Sequence, residues 1–325
     1  FDGWPTMSNV VSSAVGSVSN IVGKVTVKHP DGTTSTLQIG DSVQMGDVVE
    51  TPAGGKVDIL FVDDTEITIG QNGKLAIDQY VFEGNPQTDN SSVGMLRGIF
   101  QYTSGLIGHN NPDAEHIHTT YGGIGIRGTQ FIVQQDPCSS TQMVYLIQGE
   151  LAITPLDTPG VTNICDAPVT ISVTTSSVTT APLDQATYDS ISNQVFQSTG
   201  TVTFGSWLEQ YFDCTNDPDA QPTADPDGDG QDNYTEFLAG TDPTNSVSYF
   251  HILSATPQEN NLMVSWMCGG GRTNVLQATT NLGGSWSNVS ANIVLAGSGD
   301  SVTNYLDLGG VTNAPARFYR VQLVQ

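Results

Sequence analysis

The chain has 325 residues, with 33 Asp plus Glu against nine Lys plus Arg and a formal charge of −24. A surface of that sign repels phosphate backbones and anionic lipid head groups, which argues against nucleic acid or a membrane surface as partners and makes cations the natural counterpart. Only 13% of residues are charged while Gly, Ser, Thr and Asn abound, so a β-rich exported protein of two or three domains fits better than a disordered acidic tail.

Residues 1–20 read as an N-terminal arm. The chain begins at Phe1 without the basic and apolar regions of a secretion leader, so a leader is expected to have been removed. No apolar run is long enough to span a bilayer. The Val/Ser-rich stretch after Met7 suits an added strand, docked either on a sheet edge of a neighbouring copy or on its own domain.

Residues 21–155 form an all-β domain on pattern alone. Short β runs such as Val25-Thr-Val27, Val57-Asp-Ile59-Leu-Phe61-Val62, Glu66-Ile67-Thr-Ile69 and Leu75-Ala-Ile77 alternate with turn signals at Asp31-Gly32, Gly54-Gly55, Asp63-Asp64 and Asn72-Gly73. Phe131-Ile-Val133, Met143 to Ile147 and Glu150 to Ile153 read as a closing meander with a turn at Gln148-Gly149. Three segments, Gly40-Asp-Ser-Val to Thr51, Gly55 to Ile69, and Gly123-Ile-Gly-Ile-Arg127-Gly128-Thr129-Gln-Phe131, resemble the FecR-type domain. Asp64-Thr65 stands where that family has Asp-Gly-Thr. The resemblance implies the fold and an exported location; the family's known members relay a signal across the envelope through a cytoplasmic segment and a membrane span, and neither part is visible here.

Residues 156–203 are a Thr/Ser-rich connector, with Val169 to Val173 as a strand and Leu183 to Phe196 as one weak helix carrying Leu183, Thr187, Ile191 and Val195 on a face. From 204 to 247 the chain reads as a calcium-binding module. Asp225-Pro-Asp227-Gly-Asp229-Gly230-Gln231-Asp-Asn233-Tyr-Thr-Glu236 fits the twelve-residue loop D-x-[DN]-x-[DN]-G-x5-E. A hard cation takes oxygens from Asp225, Asp227 and Asp229, the main-chain carbonyl of Gln231, Asn233 at the ninth position and a bidentate Glu236, with Gly230 at the sharp turn. Asp242 is a candidate further ligand. Pro218 and Pro222 oppose the entering helix of a sensor, Asn233 to Ala239 reads as an exit helix stopped by Gly240, and Ser206-Trp-Leu-Glu209 reads as a capping box opening a short helix that packs on it. The module resembles thrombospondin-type-three and dockerin-like calcium segments. Calcium is therefore the expected cofactor, as a structural clamp.

Residues 248–325 read as a C-terminal β-sandwich, with Leu262 to Trp266, Val275 to Gln277, Trp286, Ile293 to Leu295 and Phe318 to Leu323 as its runs, and resemble a sandwich domain of exported planctomycete and verrucomicrobial proteins. The expected fold is thus mainly β: a FecR-like domain and a β-sandwich joined by a small helical calcium module. Among the four cysteines no C-x-x-C pair appears, and two disulfides are expected, Cys138–Cys165 and Cys214–Cys268, on proximity alone. Glu115-His116-Ile-His118 puts two imidazoles on one strand face near His109 and Asp113, without a defined third metal ligand, so these read as surface histidines. Arg127 reads as satisfying carbonyls at a tight turn. No nucleophile or paired-carboxylate constellation stands out, so the function expected is a non-catalytic, calcium-stabilised structural protein that self-assembles into an extracellular filament or surface layer. The alternatives are an adhesin or carbohydrate-binding protein using Trp4, Trp266 or Trp286, and an envelope signalling component of the FecR type.

Overall fold

The computed structural model describes residues 14–136, 138–196, 202–212, 214, 217–297, 299–312 and 316–324. The chain is mainly β, in two compact units, Phe1–Gln210 and Tyr211–Gln325. The boundary falls inside the segment 204–247 that the sequence presents as one module.

In the first unit the strands are β1 (Ala14–Val22), β2 (Thr26–Lys28), β3 (Thr34–Thr36), β4 (Ser42–Gln44), β5 (Val48–Glu50), β6 (Lys56–Phe61), β7 (Glu66–Ile69), β8 (Lys74–Val81) and β9 (Asn90–Thr103). Then come helix α1 (Leu106–Asn110), a 3-10 turn at Pro112–Ala114, β10 (Glu115–Thr119), β11 (Gly122–Gln135), β12 (Gln142–Pro155), β13 (Asn163–Asp166), β14 (Val169–Val173), β15 (Val178–Pro182), α2 (Gln185–Phe196) and α3 (Phe204–Leu208). The strands form one continuous network whose long path runs β15-β14-β12-β11-β10-β9-β7-β6-β1-β4. β9 is the hub. Its first half pairs with β8 and, in parallel, with β10; its second half pairs with β7 and β11. Gly98 marks the change of partners at φ 100, where a side chain would meet the backbone of Gly73 at 2.6 Å. Alternation sends Val57, Ile59, Phe61, Ile67, Ile69 and their counterparts into one core. Each such side chain is worth about 1.5–3 kcal/mol on burial.

β1 pairs with β6 and β4 of its own chain. Residues 14–20 of the expected arm are therefore built into their own domain, and residues 1–13, Trp4 included, lie outside the described residues. The Gln148-Gly149 turn is not a turn. β12 runs through it, because β11 bulges opposite: the register shifts between Arg127 and Phe131, Gly128 has φ 64, and a side chain on Gly149 (φ 87) would overlap the Gly128 carbonyl. Asp64 adopts φ 68, so an aspartate takes the left-handed position that glycine holds in the family pattern. The connector extends the sheet through β13, β14 and β15, and α2 buries Ile191 and Val195 against Ile99, Ile132 and Tyr145. α3 is capped by Thr203, with Ser206 at the third position, one turn earlier than the Ser206–Glu209 box suggests. It is tied to the first unit by Asn72, whose amide donates to the Ser206 carbonyl and to Glu209 Oε2 at 2.9 and 2.6 Å.

The second unit holds a 3-10 turn at Pro218–Ala220, α4 (Asn233–Ala239), β16 (His251–Gln258), β17 (Asn261–Gly269), β18 (Thr273–Thr279), β19 (Ser287–Asn288), β20 (Ile293–Val294), β21 (Asp300–Asp307) and β22 (Phe318–Val324). Two sheets, β16-β17-β21 and β19-β18-β20 with β22 on β18, enclose Val264, Trp266, Cys268, Leu276 and Leu295.

Both expected disulfides are corrected. Cys138 and Cys214 are disulfide-bonded, whereas Cys165 and Cys268 are free and buried. The reason is strand alternation: Cys165 points into the core of the first unit from β13, and Cys268 into the sandwich from β17, with Sγ 3.3 Å from the Ala239 carbonyl. No helix among the described residues is long and apolar enough to cross a membrane.

Candidate metal centre

The loop from Asp225 to Glu236 is folded by its own carboxylates. Asp225 accepts from the amides of Gly228 and Gly230 at 2.9 and 3.0 Å, Asp227 from Asp229 N at 3.2 Å, and Asp229 from Gln231 N at 2.8 Å. Gly228 and Gly230 make this possible at φ 76 and 94. The result brings one carboxylate oxygen each of Asp225, Asp227 and Asp229 within 4.8 Å of one another, the one such group of acidic, His or Cys side chains among the described residues.

Glu236, the expected twelfth-position ligand, stands in the first turn of α4. Its residue is 0% exposed; Oε1 accepts from Thr241 Oγ1 at 3.2 Å while Oε2 is buried without a hydrogen-bond partner, as are Asp227 Oδ2 and Asp229 Oδ2. Burial, then the charges of Asp227 and Asp229, push the Glu236 carboxyl up to about 8. Burial and its two aspartate neighbours likewise raise Asp227. Oxygens that lack donors and raise each other's proton affinity in this way could hold a cation.

The other expected ligands divide. Gln231 points its amide away from the cluster, donating to the Phe250 carbonyl at 2.9 Å and accepting from Phe250 N at 3.3 Å, which leaves its main-chain carbonyl for the seventh-position role. Asn233 is fully buried; its Nδ2 donates to the carbonyls of Asp219 and Gln221 at 2.7 and 2.8 Å, and its Oδ1 has no partner. Asp242 spends Oδ1 on capping Thr244, at 3.0 Å to N and 2.7 Å to Oγ1, and contributes to the cluster through its charge on Glu236. The entering helix is absent as the prolines require: the 3-10 turn at Pro218–Ala220 occupies its place, held by Asn233.

Residues that sequence reading missed anchor the loop to the sandwich. Arg272 donates to the Phe237 carbonyl at 2.6 Å, and Gly240, which ends α4 at φ 75, lies so close to Gly269 that a side chain at 269 would overlap the Gly240 carbonyl. No local sequence pattern signals either contact. Elsewhere, His116 and His118 are exposed on β10, His118 lies 3.4 Å from Asp78, and no third metal ligand joins them among the described residues. Arg127 faces Glu150 at 3.2 Å instead of turn carbonyls. Trp266 is 0% exposed in the sandwich core and Trp286 is half-buried beneath Arg320, 4.6 Å from its ring, so Trp266 leaves the list of glycan-binding candidates.

Comparison with known proteins places part of the first unit. The family profile described as FecR protein matches residues 47–152, well under half of the chain. Two crystal structures, at 2.50 and 1.65 Å, of a candidate anti-sigma factor from Parabacteroides distasonis are 15% and 14% identical, with TM-scores of 0.35 and 0.34. Each alignment covers 42% of this chain and 60% of the other, so the chain spans about three fifths of these proteins' length. A solved structure described as a cell surface anchoring domain is 35% identical over 19% of this chain and 82% of its own, with a TM-score of 0.19. No curated protein matches the chain at a significant level.

Proposed function

We propose that this is an exported, non-catalytic envelope protein whose chain contains a FecR-type β domain and a β-sandwich, the sandwich locked by a single calcium ion. The observation that carries the calcium reading is Glu236, a fully buried carboxylate with one oxygen unpartnered, whose charge acts on Asp227 and Asp229, each of which also has one buried oxygen without a partner. Calcium would be held by Asp225, Asp227, Asp229 and Glu236, with the Gln231 carbonyl, and would supply the positive charge that this cluster lacks. It acts as a clamp because the loop is bound to the sandwich at Phe250 and Arg272 and has no paired helix to swing. The disulfide-bonded Cys138 and Cys214 fit folding in an oxidising compartment.

Isothermal titration of metal-stripped protein tests the reading. One calcium site, lost in Asp229→Ala and Glu236→Ala, is expected; absence of heat, and of any calcium effect on unfolding, refutes it. A second reading, envelope signalling, is favoured by the FecR match over residues 47–152. It predicts a partner that captures the isolated full chain from envelope extracts through the first unit. The filament has no such support, since residues 14–22 pair within their own sheet.

A further inference from the structure

The first unit contains a second buried acidic cluster, unrelated to the metal loop. Asp63, 0% exposed in the turn after β6, accepts four hydrogen bonds: Tyr80 OH at 2.5 Å and Thr65 N at 3.0 Å on Oδ1, and Thr65 Oγ1 at 3.0 Å and Ile107 N at 3.1 Å on Oδ2. Both oxygens of this carboxylate are therefore fully used as acceptors. Glu115, at the start of β10 and also 0% exposed, has the opposite surroundings. Its Oε1 accepts from Tyr102 OH at 2.6 Å, its Oε2 has no partner, and among the described residues no lysine, arginine or histidine pairs with it. The groups facing it are Tyr102 from β9, Thr65 and Asp63 from the β6–β7 turn, and, through Asp63, Tyr80 from β8.

Helix α1 closes this cluster. The Asp63 carbonyl accepts from Leu106 N at 2.8 Å and its carboxylate from Ile107 N, so Asp63 caps the helix start. Gly108 of the same helix lies directly on Glu115, where a side chain would overlap Oε2. The segment leading into the helix is bound to the bulged strand, because Ser104 and Thr129 exchange two hydrogen bonds at 3.0 and 2.8 Å. The segment Gly123 to Phe131, which carries the family-like motif, therefore shares its support with the carboxylates.

We propose that Glu115 is a proton-operated latch of the FecR-type domain: protonated, it lets α1 close over the cluster, and ionised, it repels Asp63 and loosens α1 and the adjoining bulge. The ligand of this site is a proton, exchanged with solvent, and no covalent step is involved. Burial foremost, then the Asp63 charge, raises the Glu115 carboxyl from 4.5 to about 7, against the lowering effect of its bond from Tyr102. The folded state thus holds a proton that the unfolded chain releases above about pH 4.5. Stability from this group is complete below that pH, falls as pH rises towards 7, and levels off above it. A shift of this size changes the folding equilibrium by roughly three-hundredfold between the two plateaus.

Hydrogen exchange of the full chain, kept in excess calcium so that the other acidic site is silent, reads the latch directly. Protection of the peptide spanning residues 104–110, corrected for intrinsic exchange, should fall at least tenfold between pH 5.5 and 8.5 with a midpoint near 7. Glu115→Gln keeps the shape, cannot ionise, and should hold the protected level across the range. Should that variant fold poorly, the carbon-13 shift of the Glu115 carboxyl in wild type, titrated by NMR, gives the midpoint independently. Exchange that does not change with pH, a midpoint below 5, or a pH response retained in Glu115→Gln overturns the proposal.

Discussion

Glu236→Gln should reverse its sign with calcium. In the absence of metal the wild-type loop buries a carboxylate oxygen with no donor beside two other unpartnered aspartate oxygens, an arrangement that costs about 1–3 kcal/mol for the unsatisfied group. The amide keeps the acceptor facing Thr241 and removes the charge. In chelator the variant's second unit should therefore be more stable than wild type by about that amount. With calcium at a hundred times its dissociation constant, mass action adds about 2.7 kcal/mol to the wild type. The amide variant loses the bidentate carboxylate at the twelfth position and gains much less. For a unit of this size about 1 kcal/mol moves the midpoint by about 4–8 °C, so calcium should lift the wild-type sandwich by about 10–20 °C and leave the variant close to its chelated value. Differential scanning calorimetry of the full chain in chelator and in calcium measures this, with the first unit's transition as the internal reference. An amide variant less stable than wild type in chelator, or equally responsive to calcium, refutes the account of the loop.

Three further outcomes follow from other contacts. Gln231→Ala should lower the stability of the second unit by about 1–2 kcal/mol, because Phe250 loses both partners, while calcium affinity by titration calorimetry stays within about threefold. Gly105→Ala should cost at least about 3 kcal/mol in urea unfolding of the first unit, since the new methyl overlaps the Asp63 carbonyl and the Thr65 amide, both backbone atoms that cannot turn aside. Thiol alkylation followed by mass spectrometry should label no cysteine in the native protein, Cys165 and Cys268 after denaturation, and all four only after reduction; labelling of Cys138 without reductant would contradict the bonding described above.

What the sequence reveals depends on how local the cause is. The loop and α4 are legible because their rule is written in consecutive positions: Asp225 to Glu236 at fixed spacing, then Gly240 at the helix stop. Strand identity is legible for the same reason, through alternation. Pairing is not. Gly128 and Gly149 look like turn residues because a bulge and a turn need the same backbone freedom, and only the strand opposite distinguishes them. The cysteine pairs failed because nearness in the chain says nothing about which face of β13 or β17 a thiol occupies. Glu115 was within reach: it shares its strand face with Ile117 and Thr119, so alternation already turns it inward and the two histidines outward.

The contact between Gly240 and Gly269 binds two positions that lie on either side of β16 and most of β17. One ends a helix and the other ends a strand; a carbon on Gly269 would overlap the Gly240 carbonyl, whereas one on Gly240, strained at φ 75, would first crowd Arg272 Nε at 3.1 Å. Their substitution histories are therefore not separate: a change at 269 is felt as a change in the metal loop, because α4, with Glu236 on it, must retreat to make room. No exchange at 240 can compensate a side chain at 269, since the overlapped atoms at 240 are backbone. A side chain at 269 therefore acts on the loop through the backbone of α4, and not through any contact with the loop itself.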